Sequence, residues 1–485
     1  MSSTASNKNI MYWVKAAIFL WFLFGFGQLE PFGSLEKVGM QVLGIFIGLL
    51  FGWTFIGFIW PSLLGVLAIG LSEYTNVSGA LATGFGNVQV AILVLFVLIF
   101  AAYLERVGVS QVIANWFISR KFTIGKPWLF SFMILLVAYI IGATISLTVG
   151  ILLIWSIFYG ICDVVGYKKG EKYPTVMVVA IVFATFLGFA VFPFKPVAAI
   201  TLGSLESISG MSVSFLTFSI ANIVISMASL IFFMIIFRFI IRPDVSPLET
   251  DADHFAHLRN QKITKVQKVG FFFLIFYLIL MFAPSFIPET TMIGAILKNL
   301  GTTGCTVLVV ALAVFWPTNG EPSLNMKEAA HGISWDIFFM LVSTMPVSAA
   351  MSNPEVGVMT YMVELLQPIF HGMNPFVFAI VFAIVAGIIT QFAHNLVLVA
   401  VLVPVAYSLS VALEFNPIIT VFMFTYCIQI AIASPGSSAQ GALIFVNKDW
   451  VDTASAYKYS WIMVLCSLTC LVVIGTPLAM VLFGM

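Results

Sequence analysis

Along the chain, long apolar runs alternate with short polar connections. A hydrocarbon core of roughly 30 Å asks for about 20 helical residues, each rising about 1.5 Å. Runs of that order fall near 11–28, 41–60, 87–104, 213–241, 269–287, 292–316, 334–352 and 458–483, and each reads as an ordinary span. Two further runs, 127–165 and 375–413, are too long for that. Each would make a straight helix of about 58 Å, twice the hydrocarbon thickness, so each has to fold back. Gly142-Ala143-Thr144-Ile145-Ser146-Leu147-Thr148 interrupts the first, and Thr390-Gln391-Phe392-Ala393-His394-Asn395 the second. From Pro127 or Pro375 to these interruptions is about 15 residues, roughly 22 Å of helix, which ends short of the far interface. A re-entrant hairpin with a polar tip inside the membrane fits this arithmetic; two ordinary spans joined by a short loop are the alternative.

The two halves repeat. Leu104-Glu105-Arg106-Val107-Gly108-Val109 matches Asn353-Pro354-Glu355-Val356-Gly357-Val358, and Pro127 falls on Pro375. Carried forward, the same shift puts Ser146 on His394, so the polar tips coincide. Beyond the hairpins, Tyr173-Pro174 meets Asn416-Pro417, and Phe192-Pro193-Phe194-Lys195-Pro196 meets SPGSSAQG at 434–441. Both of these segments interrupt an apolar helix. Chance identities between apolar sequences are easy, so the shared order of features carries more weight than any single match. The predicted fold is an all-α polytopic membrane protein of two inverted repeats, each with a re-entrant hairpin and a broken helix, at 174–203 and 417–446.

Composition agrees with the pattern. With 61% hydrophobic and 8% charged residues and a mean hydropathy of +1.10, the chain is far outside the range of a soluble globular surface. Its 21 basic and 20 acidic residues nearly cancel and form no long block of one sign, so nothing points to nucleic acid. Cys162, Cys305, Cys427, Cys466 and Cys470 lie in or beside apolar runs without metal-ligand spacing and read as small core residues. Residues 11–27 imitate a signal peptide, but QLEPFGSLE offers no small-residue cleavage pattern, so a retained first helix is expected. The long polar loop 242–268 carries Arg242, Arg259, Lys262, Lys265 and Lys268, with Arg238 just before it, which predicts a cytoplasmic location. His254 and His257 in that loop read as part of a solvated connector rather than a metal pair.

An enzyme is not expected, because no His-Glu-x-x-His helix, paired intramembrane carboxylates or Ser-His-Asp grouping is present. Duplicated halves with polar tips instead match the build of a secondary transporter, in which unwound backbone and half-helix ends meet ions and anionic groups. Lys195, between Pro193 and Pro196, has two readings. As the end of one helix from Pro174 it would lie about 30 Å along, at the far interface. If the prolines break the helix first, its ammonium faces the substrate or takes a cation's place. Likewise Ser434, Ser437, Ser438 and Gln440 either contact the substrate or belong to a simple kink at Gly436.

From about residue 41 onward the chain resembles the divalent anion/sodium symporter family of the ion transporter superfamily. The resemblance rests on the hairpin and broken helix of each half, on LERVG, on SWDIFFM at 334–340, and on TQFAHNLVLVAVLVP at 390–404, which ends in Pro404. It implies that the tip triplets Ser146-Leu147-Thr148 and His394-Asn395-Leu396 hold the anion's oxygens, and that neighbouring backbone holds Na+. Both triplets depart from the family's Ser-Asn-Thr pattern at Leu147, Leu396 and His394. The implied substrate-binding set is Ser146, Thr148, Lys195, His394, Asn395, Ser437, Ser438 and Gln440. The implied cation set is Gly142, Ala143, Ser146, Thr390 and Asn395, with Na+ as the implied coupling ion and no cofactor expected.

Further expectations follow from the resemblance: a homodimer in the plasma membrane, with scaffold parts at 1–117 and 269–371 and a mobile transport unit at 118–242 and 372–485, joined by the cytoplasmic connector 243–268. The expected function is transport of small anions, carboxylates first, by Na+ symport with an elevator motion. A Na+-independent anion exchanger or a proton-coupled anion transporter is the alternative. A cation/proton antiporter of the same superfamily is a weaker one, because the spans around both tips contain no carboxylate.

Overall fold

Pro127 and Pro375 each occupy the first turn of a helix, where a missing N–H costs nothing. In the computed structural model, which describes residues 2–86, 91–118, 125–249, 263–370 and 373–484, the long runs behind these prolines both turn back on themselves. The first four helices are α1 (Ser2–Leu20), α2 (Lys37–Phe55), α3 (Ile59–Leu71) and α4 (Val77–Phe85). The first half continues with α5 (Leu93–Arg106), α6 (Val109–Ile118), the hairpin α7 (Pro127–Thr144) and α8 (Leu147–Val165), the broken helix α9 (Lys172–Phe189) and α10 (Pro196–Ser209), and α11 (Phe215–Ile236) with a π-helical extension Phe237–Ile241.

The second half repeats this order. It comprises α12 (Lys265–Phe282), α13 (Met292–Phe315), short α14 (Met326–Ala330), α15 (Trp335–Ser352), α16 (Val358–Phe370), the hairpin α17 (Pro375–Ile389) and α18 (Asn395–Ala412), the broken helix α19 (Pro417–Gln429) and α20 (Ala439–Val446), then α21 (Thr453–Cys470) and α22 (Thr476–Phe483). Among the described residues the only strands are Pro317–Thr318 and Glu321–Pro322, one antiparallel pair. Among the described residues, eleven helices are long and apolar enough to cross a membrane, or twelve if one bent pair is counted as a span.

The repeat reaches the backbone. Gly108 and Gly357, matched in sequence, both adopt positive φ (76° and 72°), a region where an L side chain is strained, and both start an amphipathic helix, α6 and α16. α5 and α6 meet at 59°. The expected run 41–60 is corrected: the chain leaves α2 at Phe55, turns through Gly57 and enters α3, all inside one unbroken apolar stretch that hides the turn from a hydropathy reading. His254, His257, Arg259 and Lys262 of the connector lie outside the described residues. All five cysteines are free and buried, as expected.

Burial separates centre from periphery. The span Lys172–Phe189 is 89% buried, whereas Lys265–Ser285 is 28% buried. α9 reaches the centre through glycine contacts with α7: a Cβ on Gly188 would lie 1.8 Å from the Tyr139 carbonyl oxygen, and one on Gly142 would lie 2.1 Å from that of Thr185. Small residues let two helix backbones touch, which is how helices associate where the hydrophobic effect between them is absent.

Candidate functional site: two tips and two breaks around one cavity

Each hairpin and each broken helix places a fresh helix start at the same point. The N-caps Ser146, Lys195, His394 and Ser438 precede α8, α10, α18 and α20, and all four line one cavity of about 450 Å³. Thr148, Asn395 and Gln440 line it as well. A helix start carries unsatisfied N–H groups and the positive end of its dipole, so four of them around one space favour a negative guest.

Lys195 adds a full charge. Only 3% exposed, it is not at a solvent-facing interface, because α9 stops at Phe189 and Ala190 to Lys195 form the break. Its ammonium donates to the Ile145 carbonyl oxygen at the first tip (3.2 Å) and lies 5.4 Å from the ring centroid of Phe189 and 5.7 Å from that of Phe194. Among the described residues, no carboxylate is within ion-pair distance of it. A buried charge without a counter-ion is costly, which makes it a strong anion acceptor.

The tip side chains divide into free and committed groups. Ser146 caps α8 without a side-chain hydrogen bond, so its hydroxyl faces the cavity. The Oδ1 of Asn395 accepts from the Leu396 N–H (2.9 Å), which leaves the Nδ2 amide for a ligand. His394 Nδ1 accepts weakly from the same N–H (3.4 Å), and its ring centroid lies 5.2 Å from that of Phe58. Gln440 donates to Thr148 Oγ1 (3.2 Å), the one direct bond described between the second break and the first tip.

Other expected site residues are turned elsewhere. Ser437 donates to the Ser434 carbonyl (2.7 Å) and Ser434 to the Gln391 carbonyl, so both hydroxyls are used inside the loop. Ser438 lines the cavity but donates to the Ala431 carbonyl (2.8 Å) while accepting from the Gly441 N–H (2.9 Å). In the cation set, Thr390 donates to the Ile428 carbonyl (3.2 Å), and Gly142 and Ala143 are buried in α7 away from the cavity lining. Gln391, which sequence reasoning assigned no role, proves central: its amide donates to the carbonyls of Gly387 (2.9 Å) and Ile430 (2.7 Å) and accepts from the N–H groups of Ile432 (3.1 Å) and Ala433 (2.9 Å). Its place in the polar tip was the only signal available.

The cavity mouth lies beside exposed Glu105 and Asp336. That corner of α5 also carries the Arg106–Glu328 ion pair, and a Cβ on Gly108 would lie 3.2 Å from Gln267, near the start of α12. The opening therefore faces the side where the connector rejoins the helices. Among the described residues, no group of three or more His, Cys, Asp or Glu is placed to hold a metal.

Twin hairpins and twin broken helices, converging on a buried cavity, define the class of secondary membrane transporters. The sequence model of the citrate transporter family matches residues 14–428, and the chain belongs to that family. This agrees with the resemblance drawn from the tips and breaks. Two curated relatives share shorter stretches. An uncharacterized transporter, sll0640 of Synechocystis, is 21% identical over 33% of this chain and 25% of its own length. Human solute carrier family 13 member 4 is 23% identical over 26% of this chain and 20% of its own. The match thus spans a quarter or less of these relatives. Two solved structures share the fold: the YdaH transporter of Alcanivorax borkumensis (TM-score 0.59, 12% identity, covering 84% of this chain and 89% of that one) and MtrF of Neisseria gonorrhoeae (0.56, 11%, 94% and 97%).

Proposed function

We propose that the protein transports small carboxylate anions across the plasma membrane. The observation that carries this reading is the convergence of four helix starts and the unpaired Lys195 ammonium on one buried cavity. A carboxylate there would pair with Lys195 and accept from Ser146 and the Asn395 amide, which is charge-assisted hydrogen bonding. The description of the family as citrate transporters points the same way. A volume of about 450 Å³ suits a di- or tricarboxylate.

The transport unit in this reading comprises both hairpins and both broken helices, and it moves against the less buried helices around α12 and α13 in an elevator motion, with those outer helices pairing two copies as a homodimer. The connector is cytoplasmic, so the cavity as described opens inward. The test is counterflow of radiolabelled citrate, succinate and sulfate in proteoliposomes containing the purified protein. Accumulation of labelled citrate or succinate against trapped unlabelled anion is expected. Failure of every carboxylate in that panel would reject the reading.

A further inference from the structure

The amphipathic helix α6 takes no part in lining the cavity and carries no charged residue. Its Gln111 and Asn115, one turn apart, bond to each other (3.1 Å), and Val112, Ile113 and Trp116 make up the opposite, apolar face. α12 presses on the bend that leads into α6: a Cβ on Gly270 would lie 2.6 Å from Val107 Cγ2 and 2.9 Å from Val109 Cγ2. Past that contact the two helices part. A groove of about 460 Å³ opens between them, lined by Val112, Ile113, Trp116, Ile263, Lys268 and Phe271. It reaches the surface, where Trp116 and Phe271 are 54% and 40% exposed. An apolar groove of this kind holds no ordered water and accepts an apolar guest.

Lys268 is the one charge in the lining. Together with Lys265, three residues earlier on α12, it is exposed, and among the described residues neither has a carboxylate within ion-pair distance. The first turn of α12 carries no acidic residue, and the helix dipole adds its positive end there. We propose that the groove binds a membrane phospholipid with an anionic headgroup. One acyl chain lies along Val112, Ile113, Trp116 and Phe271, and the phosphate meets Lys268 and Lys265. The lysines stand where the connector rejoins the helices, at headgroup depth, and a tryptophan beside them suits the same interface. The apolar walls select a chain, which free phosphate lacks, and the lysines select a net negative headgroup over a zwitterionic one. The site is independent of what the cavity transports. Because α6 joins α5 to the first hairpin, the lipid fastens the arm from which that hairpin hangs.

The test uses the purified full chain, stripped of lipid in detergent and offered phosphatidylglycerol and phosphatidylcholine of identical chains in equal amounts. Native mass spectrometry is expected to show the wild type retaining phosphatidylglycerol about fivefold over phosphatidylcholine, the preference one lysine at an anionic headgroup supplies. Lys268→Gln should bring the two lipids to near parity. Val112→Trp, which fills the groove, should lose the retained phosphatidylglycerol while the oligomeric mass stays that of the wild type. Excess inorganic phosphate should displace nothing. The position is read separately: brominated phosphatidylglycerol should quench tryptophan fluorescence more than brominated phosphatidylcholine, and Trp116→Phe should remove the excess. Equal retention of both lipids by the wild type, an unchanged preference in Lys268→Gln, or an excess of quenching that survives in Trp116→Phe overturns the proposal. Displacement by phosphate would make the site one for the headgroup alone, and a smaller oligomer in Val112→Trp would make the groove a contact between copies; either result also overturns it.

Discussion

The two broken helices solve one problem in opposite ways. Between Ala190 and Lys195 the first break bonds its backbone locally at three points: Ala190 donates to Phe186, Val191 to Gly188 and Lys195 to Phe192. Its prolines lack an N–H to satisfy. The polar side chain left over, Lys195, is therefore free to face the cavity. The second break, from Ile430 to Ser438, is longer and also draws on a side chain from outside it. Its backbone leans on the Gln391 amide and on Ser434, Ser437 and Ser438. A break rich in hydroxyls can thus be occupied with its own architecture, while a nearly apolar break with one charge leaves that charge lining the cavity.

The sharpest way to break this comparison is to exchange the roles. Gln391→Leu leaves four buried backbone groups without partners and should destabilise the protein by about 3 kcal/mol or more, measured by unfolding in detergent. Lys195→Met removes an unpaired buried charge, so stability should hold or rise, while citrate or succinate affinity falls about a hundredfold in an equilibrium binding assay. Equal losses of stability in both variants, with affinity retained in Lys195→Met, would erase the distinction. A second contrast lies in the packing beneath the tips. Gly188→Ala drives a methyl into the Tyr139 carbonyl and should cost about 2–3 kcal/mol. Gly387→Ala meets the Cys427 side chain at 3.0 Å, a contact that can give, and should cost about 1 kcal/mol or less in the same unfolding measurement. The smallest pair tests free against committed polar groups. Asn395→Ala should weaken anion binding about tenfold, whereas Ser437→Ala should cost about 1 kcal/mol of stability with affinity unchanged.

Much of this architecture was legible in the sequence because length and proline placement leave few choices. The hairpins follow from runs that no bilayer can hold straight, and Pro127, Pro375 and Pro417 mark helix starts that the structure keeps. Matching Ser146 with His394 found two residues that cap corresponding helices. Other elements were hidden for physical reasons. α3 follows α2 without a polar residue to signal the turn, and α6 and α16 are amphipathic, so a search for uniformly apolar runs passes over them. Lys195 stayed ambiguous because length arithmetic treated Pro174 to Lys195 as one rod, and only the early stop at Phe189 decides where the ammonium goes. The serines of the second break and Gln391 are polar residues of similar promise in sequence; what separates them is which backbone groups lie within reach.

The lone ammonium of Lys195 also determines how the membrane potential acts on the carrier. In an elevator cycle that carries Lys195 across and back, its own charge would cancel, and the voltage would act only on the difference between the anion carried in and the anion carried out. Each elementary charge of difference is worth about 2.3 kcal/mol per 100 mV. Exchange of two equally charged carboxylates is then electrically silent, whereas exchange of a dianion for a trianion takes its direction from the cell's own polarisation.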